Sequence, residues 1–232
     1  MPYLEDLRSR LYWGVVLSAI FFVGGFLFAG VILKTVLSIF KLEEVVIATT
    51  SPFQYITVAM DVGFFSAIMA SIPYIIYNLY VFAIPALTRS EKKSLLKSVP
   101  ISFILFIVGF CYGFSILYYS LGLLAAINVG LGIANIWNVS QFLSEIFITS
   151  ALLGFVFEFP ILLTLLIKLG ILTPQILKNK RRVAYFCIFF ITAMLPPTDV
   201  LSLVAMILPL VLLYEVTILL NNSKNYVWTR NY

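Results

Sequence analysis

Histidine does not occur in this chain, and only ten of its 232 residues are acidic. Without imidazole, the commonest general base and the commonest metal ligand are both missing. The two cysteines, Cys111 and Cys187, stand singly in apolar runs with neither metal nor disulfide spacing. They are expected to be ordinary buried thiols, and no metal or other cofactor is expected. Charge of either sign is scarce: 11% of residues are Lys, Arg, Asp or Glu, against about 25% in a soluble domain. Too few polar groups remain to cover a water-soluble globule, and the length leaves no room for a separate soluble catalytic domain. The net charge of +5 forms no basic stripe outside short segments. That excludes nucleic acid as a partner and leaves Lys and Arg to fix topology and meet membrane lipid.

What is present is apolar: 62% hydrophobic residues and a mean hydropathy of +1.07. Six apolar runs are legible, at 11–33, 62–87, 100–127, 146–167, 183–195 and 200–220. At ~1.5 Å per helical residue the first is about 34 Å long, enough to cross a bilayer. The fifth is only about 20 Å, which calls for local thinning, tilt or shelter against neighbours. The last two runs are separated only by Pro196-Pro197-Thr198-Asp199, a tight reversal. The expected fold is therefore an all-α integral membrane protein, a single domain over 1–232 with six transmembrane helices, the last two short. Pro100 is expected in the first turn of the third helix, and a folded cap is expected over about 34–61. Asn128, Asn135 and Asn138 read as ordinary loop residues, and Tyr12, Trp13, Tyr226 and Trp228 as interface anchors.

Thirteen of the fifteen basic residues fall in the N-terminal segment, the second and fourth connections and the C-terminal tail, leaving Lys34 and Lys41 opposite. The positive-inside rule then puts both termini in the cytoplasm, with an even number of spans. No cleavable signal is expected ahead of the first run. The expected location is a prokaryotic plasma (inner) membrane, or the membrane of an organelle that encodes the chain.

The acids on the cytoplasmic side are Glu5, Asp6 and Glu91, each among cations: Arg8 and Arg10 near the first two, Arg89 and Lys92 beside the third. One reading is local charge balance at helix entrances. The other is a pair of carboxylates offered to a cationic ligand, with the arginine fork as natural partner. Glu158 lies within an apolar run, in Phe157-Glu158-Phe159-Pro160. A carboxylate there costs several kcal/mol unless it is protonated, solvated or paired. It is either functional or held by a hydrogen bond inside the bundle, where Pro160 disturbs the backbone. Glu215 lies close enough to the end of its run to snorkel.

Tyr3-Leu4-Glu5-Asp6-Leu7-Arg8-Ser9-Arg10-Leu11 resembles the N-terminal signature of the TatC family, the multispan subunit of the twin-arginine protein translocase. Phe82-Ala83-Ile84-Pro85-Ala86-Leu87 with Arg89-Ser90-Glu91-Lys92-Lys93, then Phe157-Glu158-Phe159-Pro160, Gly170-Ile171-Leu172-Thr173-Pro174 with Arg181-Arg182, and Pro196-Pro197-Thr198-Asp199 resemble further family motifs in order. Tyr3 stands where the signature has His, Asp6 where it has Glu, and Lys92-Lys93 where it has an arginine pair. The resemblance implies a non-enzymatic core that binds twin-arginine signal peptides. With single-span partners of the TatA and TatB type, in an oligomeric complex, it exports folded proteins on the protonmotive force. It implies that Asp6 and Glu91 receive the arginine pair, with Arg8 and the more variable Glu5 nearby. It implies that Glu158, ahead of Pro160, docks a polar residue of a single-span partner, and it sets Asp199 on a motif position. The alternative reading is a small secondary transporter with Glu158 as its proton or cation site. An intramembrane enzyme is disfavoured by the missing His and by the lack of a Ser-Lys or paired-Asp constellation.

Overall fold

Apolar segments in lipid satisfy their backbone donors and acceptors within helices, and helices make up most of the described residues. The computed structural model describes the backbone of residues 2–40, 45–83, 89–196 and 199–222, and the side chains of 8–40, 45–81, 99–196 and 199–221. The order is α1 (Pro2–Leu27), α2 (Ala29–Ile39), β1 (Val45–Ala48), α3 (Gln54–Ala83), α4 (Arg89–Gly130), β2 (Asn135–Asn138), α5 (Val139–Phe157), α6 (Phe159–Lys168), α7 (Pro174–Asn179), α8 (Arg181–Ala193) and α9 (Val200–Asn222). Among the described residues, five stretches are long and apolar enough to cross a membrane: Arg8–Leu27, Gln54–Val81, Val99–Gly130, Val139–Lys168 and Val200–Asn221. The 13 residues of α8 fall short of the ~20 that a span needs.

Several boundaries differ from the sequence expectation. The first run is interrupted at Phe28, between α1 and α2. Phe28 N–H still bonds Gly24 O at 3.0 Å, and Phe28 O receives Val31 and Ile32, so the chain turns without losing its ladder. Pro100 lies inside α4, not at its start, because the polar stretch from Arg89 is itself helical. The helix α3 begins at Gln54, so the segment over 34–61 holds α2, β1 and the first turns of α3. Both cysteines are exposed on the flank of the bundle. An apolar run marks contact with lipid as readily as contact with protein.

At one end of the molecule β1 and β2 pair in parallel, Val45 opposite Asn135 and Ala48 opposite Asn138. Beneath this sheet, Val36, Phe40, Val58, Leu117, Phe142 and Leu143 form one apolar core. Leu153, Leu177, Met206, Tyr214 and Ile218 belong to a second core under α7, α8 and α9. The connection before α9 stops short of the sheet end. Thr149 donates to Pro196 O at 2.8 Å and Ser120 donates to Asp199 Oδ1 at 2.7 Å. Thr149 is ten residues into α5 and Ser120 ten residues before the end of α4, which sets this connection about 15 Å below the sheet end. Elsewhere α1 lies along α3: the Ser18 and Ser71 hydroxyls meet at 2.7 Å, and the Tyr74 hydroxyl donates to Arg10 O at 2.9 Å.

Candidate functional site

Glu158 occupies the junction between α5 and α6, in helical backbone. Pro160, in the first turn of α6, has no N–H to continue the ladder across the junction. The Glu158 side chain is 1% exposed. Its Oε2 accepts from the Ser102 hydroxyl of α4 at 2.6 Å. Its Oε1 is buried without a hydrogen-bond partner, and so is the hydroxyl of Tyr80, which lies near the same pair on α3. Tyr80 is also 1% exposed. Unpartnered polar atoms at this depth each cost ~1–3 kcal/mol, so the cluster of Glu158, Ser102 and Tyr80 is incompletely satisfied as folded.

Beside the cluster lies a groove of about 560 Å³, lined by Tyr80 and Ser102 together with Leu17, Tyr77, Val99 and Phe103. It runs where α1, α3 and α4 meet. Its walls are almost wholly apolar.

The other candidate residues are distributed as follows. The side chains of Glu5, Asp6 and Glu91 lie outside the described residues. Their backbones belong to the first turns of α1 and α4. Arg8 is exposed. Glu215 does not snorkel alone: Arg181 donates to its Oε2 at 2.7 Å and Tyr185 donates to its Oε1. The neighbouring Tyr214 donates to Leu177 O at 2.8 Å, so this cluster ties α7, α8 and α9 together. Asp199 accepts from Ser120 and, at 2.8 Å, from Ser202 N–H. Burial pushes its carboxyl up, but these hydrogen bonds outweigh burial and hold it below its ordinary value. Pro197, Thr198, Tyr226 and Trp228 lie outside the described residues, whereas Tyr12 and Trp13 are exposed.

The three asparagines are not ordinary loop residues. Asn138 caps α5, accepting from Ser140 N–H and Gln141 N–H. The buried Asn135 donates to Ala125 O at 3.1 Å and accepts from Asn128 at 2.8 Å. Sequence reasoning also missed Ser102 and Tyr80. Ser102 stands two residues after Pro100 in an apolar run, a signal of the same kind as Glu158. Tyr80 is lost among 13 tyrosines.

A helical, lipid-facing scaffold with one buried carboxylate, an open flank groove and no cluster of potential metal ligands among the described residues has the build of a polytopic membrane transport component. The family model for the Sec-independent protein translocase protein (TatC) matches residues 2–209, and the chain belongs to that family. It is 33% identical over 227 residues to the TatC protein of Helicobacter pylori, covering 97% of this chain and 87% of that one. It is 27% identical over 224 residues to TatCy of Bacillus subtilis, covering 96% and 88%. A crystal structure of the twin-arginine translocase receptor TatC superposes with a TM-score of 0.73 at 31% identity, covering 95% of this chain and 98% of that one. The protein is thus a translocase component and not an enzyme, a multi-pass protein of the kind found in the bacterial inner membrane. The family match does not favour the secondary-transporter alternative.

Proposed function

We propose that this chain is the signal-recognising core of a twin-arginine translocase: one domain with six spans, α8 being the short fifth, and both termini in the cytoplasm. Asp6 and Glu91 receive the two arginines of the export signal, with Arg8 and Glu5 shaping the field around them. Exposed ion pairs contribute little singly, ~0–1 kcal/mol, so recognition needs both carboxylates and burial of the signal's apolar segment. Glu158, at the junction before Pro160, docks a polar residue of a single-span partner of the TatA or TatB type. The assembled complex moves folded cargo on the protonmotive force.

The observation that carries this reading is the meeting of three helix segments at one groove. Leu17 of α1, Tyr77 of α3 and Val99 of α4 share its wall, and Tyr74 binds Arg10 O. The stretches that lead to Asp6 and Glu91 therefore start from one neighbourhood. The decisive experiment is photo-crosslinking of a twin-arginine signal peptide to the membrane-inserted protein. Asp6→Ala and Glu91→Ala are each expected to weaken crosslinking, and the pair to lower it by an order of magnitude or more. Undiminished crosslinking in the double variant refutes the assignment.

A further inference from the structure

We propose that the last helix is hinged at Pro209. On one side of the hinge, α4, α5 and the first half of α9 form one body; on the other, α6, α7, α8 and the second half of α9 form another. Tyr112 is a positioning residue that clamps the first half to α4 beside the hinge.

Pro209 lies inside α9 and has no N–H. The carbonyl four residues earlier, that of Ala205, therefore lacks its helical donor. Tyr112 of α4 supplies one, its hydroxyl donating to Ala205 O at 2.7 Å. Prolines are tolerated in spanning helices where a neighbouring helix meets the freed carbonyl in this way, and they are where such helices bend.

The ties of α9 sort by half. The first half, 200–208, is bound to α4 by Tyr112 and, just ahead of its first residue, by Ser120 on Asp199. The connection before it is bound to α5 by Thr149 on Pro196 O. The second half, 210–222, is bound to other helices. Tyr214 donates to Leu177 O of α7, and Arg181 and Tyr185 of α8 donate to Glu215. Asn221 donates to Thr164 Oγ1 of α6 at 3.1 Å. Within the first body α4 and α5 are a close pair, Gly113 lying against Ser150.

The chain passes between the two bodies at three places: the α5–α6 junction, the connection before α9, and Pro209. At each of them the helical ladder is interrupted. The apolar core that reaches from Met206 to Tyr214 and Ile218 spans both halves of α9 without welding them, because apolar attraction is non-directional. A partner that binds better to one arrangement of the bodies then shifts the molecule towards it.

The test is pulsed electron spin resonance on the full chain in lipid nanodiscs, with Cys111→Ser and Cys187→Ser as background. Nitroxide labels go on Ile104→Cys in α4, Val183→Cys in α8, and Val204→Cys and Leu219→Cys in the two halves of α9, all at exposed positions. The pairs 104–204 and 183–219 each lie within one body and are expected to give narrow distance distributions. The pair 104–219 crosses the hinge and is expected to give a broad or two-peaked one. Pro209→Ala restores the N–H and is expected to remove that extra width, with 104–204 still narrow. Pro209→Gly keeps the bend soft and is expected to retain it. Tyr112→Phe keeps the ring and loses the donor. It is expected to raise the displaced population of the 104–204 pair about threefold to tenfold and to leave 183–219 unchanged.

A 104–219 distribution as narrow as the other two, or one whose width survives Pro209→Ala, overturns the hinge. If Pro209→Ala broadens 104–204 instead, Pro209→Leu is the second stiffening variant; broadening in both makes the proline a packing requirement and overturns the hinge as well. A 104–204 pair indifferent to Tyr112→Phe overturns the clamp, and equal broadening of 104–204 and 183–219 in that variant makes Tyr112 a general packing residue.

Discussion

Asn138 donates its amide to the Thr50 hydroxyl at 2.8 Å while its carbonyl oxygen caps α5 and receives the buried Gln54. One side chain thus closes β2, starts α5 and fastens the segment that enters α3. Replacing a capping Asn with Ala costs ~0.5–2 kcal/mol, and here Gln54 loses a partner too. Asn138→Ala is expected at the upper end of that range, read as a lower apparent Tm in detergent. Asn138→Asp keeps the acceptor and loses only the donor to Thr50, so it is expected to fall between the two.

Gly113 lies against α5 so closely that an added Cβ meets Ser150 Cα at 2.9 Å. The obstacle is backbone, which cannot rotate away, so α4 and α5 must separate. Gly113→Ala is expected to destabilise by ~1–3 kcal/mol. Gly24 is the control, because a Cβ there meets nothing within 4 Å. Gly24→Ala is expected to be neutral or mildly stabilising, by at most ~1 kcal/mol. Thermal unfolding of both variants in one detergent decides it, and equal losses would show that the α4–α5 contact is not limiting.

Much of the helical layout was legible because hydropathy reports where backbone must satisfy itself. The short α8 and the exceptional position of Glu158 were both readable that way. Helix ends were less so. Arg89 to Val99 reads as a polar connection but continues α4, since Lys, Glu and Leu form helix readily in water as well as in lipid. The break at Phe28 has no proline to announce it. The partners of Glu158 were hidden for another reason. Ser102 and Tyr80 are 56 and 78 residues away along the chain, and only packing brings them together. Glu215 had the same history: nothing local to it names Arg181, 34 residues earlier.

Arg181 and Glu215 make the ion pair that joins α8 to α9 at 2.7 Å, with side chains 43% and 27% exposed. Solvent screens a pair so placed, so the coupling between Arg181→Ala and Glu215→Ala in a double-mutant cycle is expected to be ~0.5–1 kcal/mol. It is expected to shrink when salt is raised to about 1 M. Tyr185→Phe is expected to add a loss of its own, because Tyr185 serves the other carboxylate oxygen. Zero coupling at low salt would place the α8–α9 tie in the apolar core and in the Tyr214–Leu177 hydrogen bond instead.

Asp199 gives the fold a pH dependence whose sign is fixed by its hydrogen bonds. Ser120 and Ser202 favour the ionised carboxylate and hold its folded value below the ordinary 3.8. The unfolded chain therefore takes up this proton first as pH falls. The contribution of Asp199 is fully present above about pH 5, and is lost as pH drops through 3.8 towards the folded value. Asp199→Asn removes the charge and keeps an acceptor. The Tm difference between the wild type and this variant is expected to be constant from about pH 5 to 7 and to narrow below about pH 4. A difference that widens on acidification would mean that the carboxylate is destabilising as folded, and that burial, not Ser120 and Ser202, governs the connection between α8 and α9.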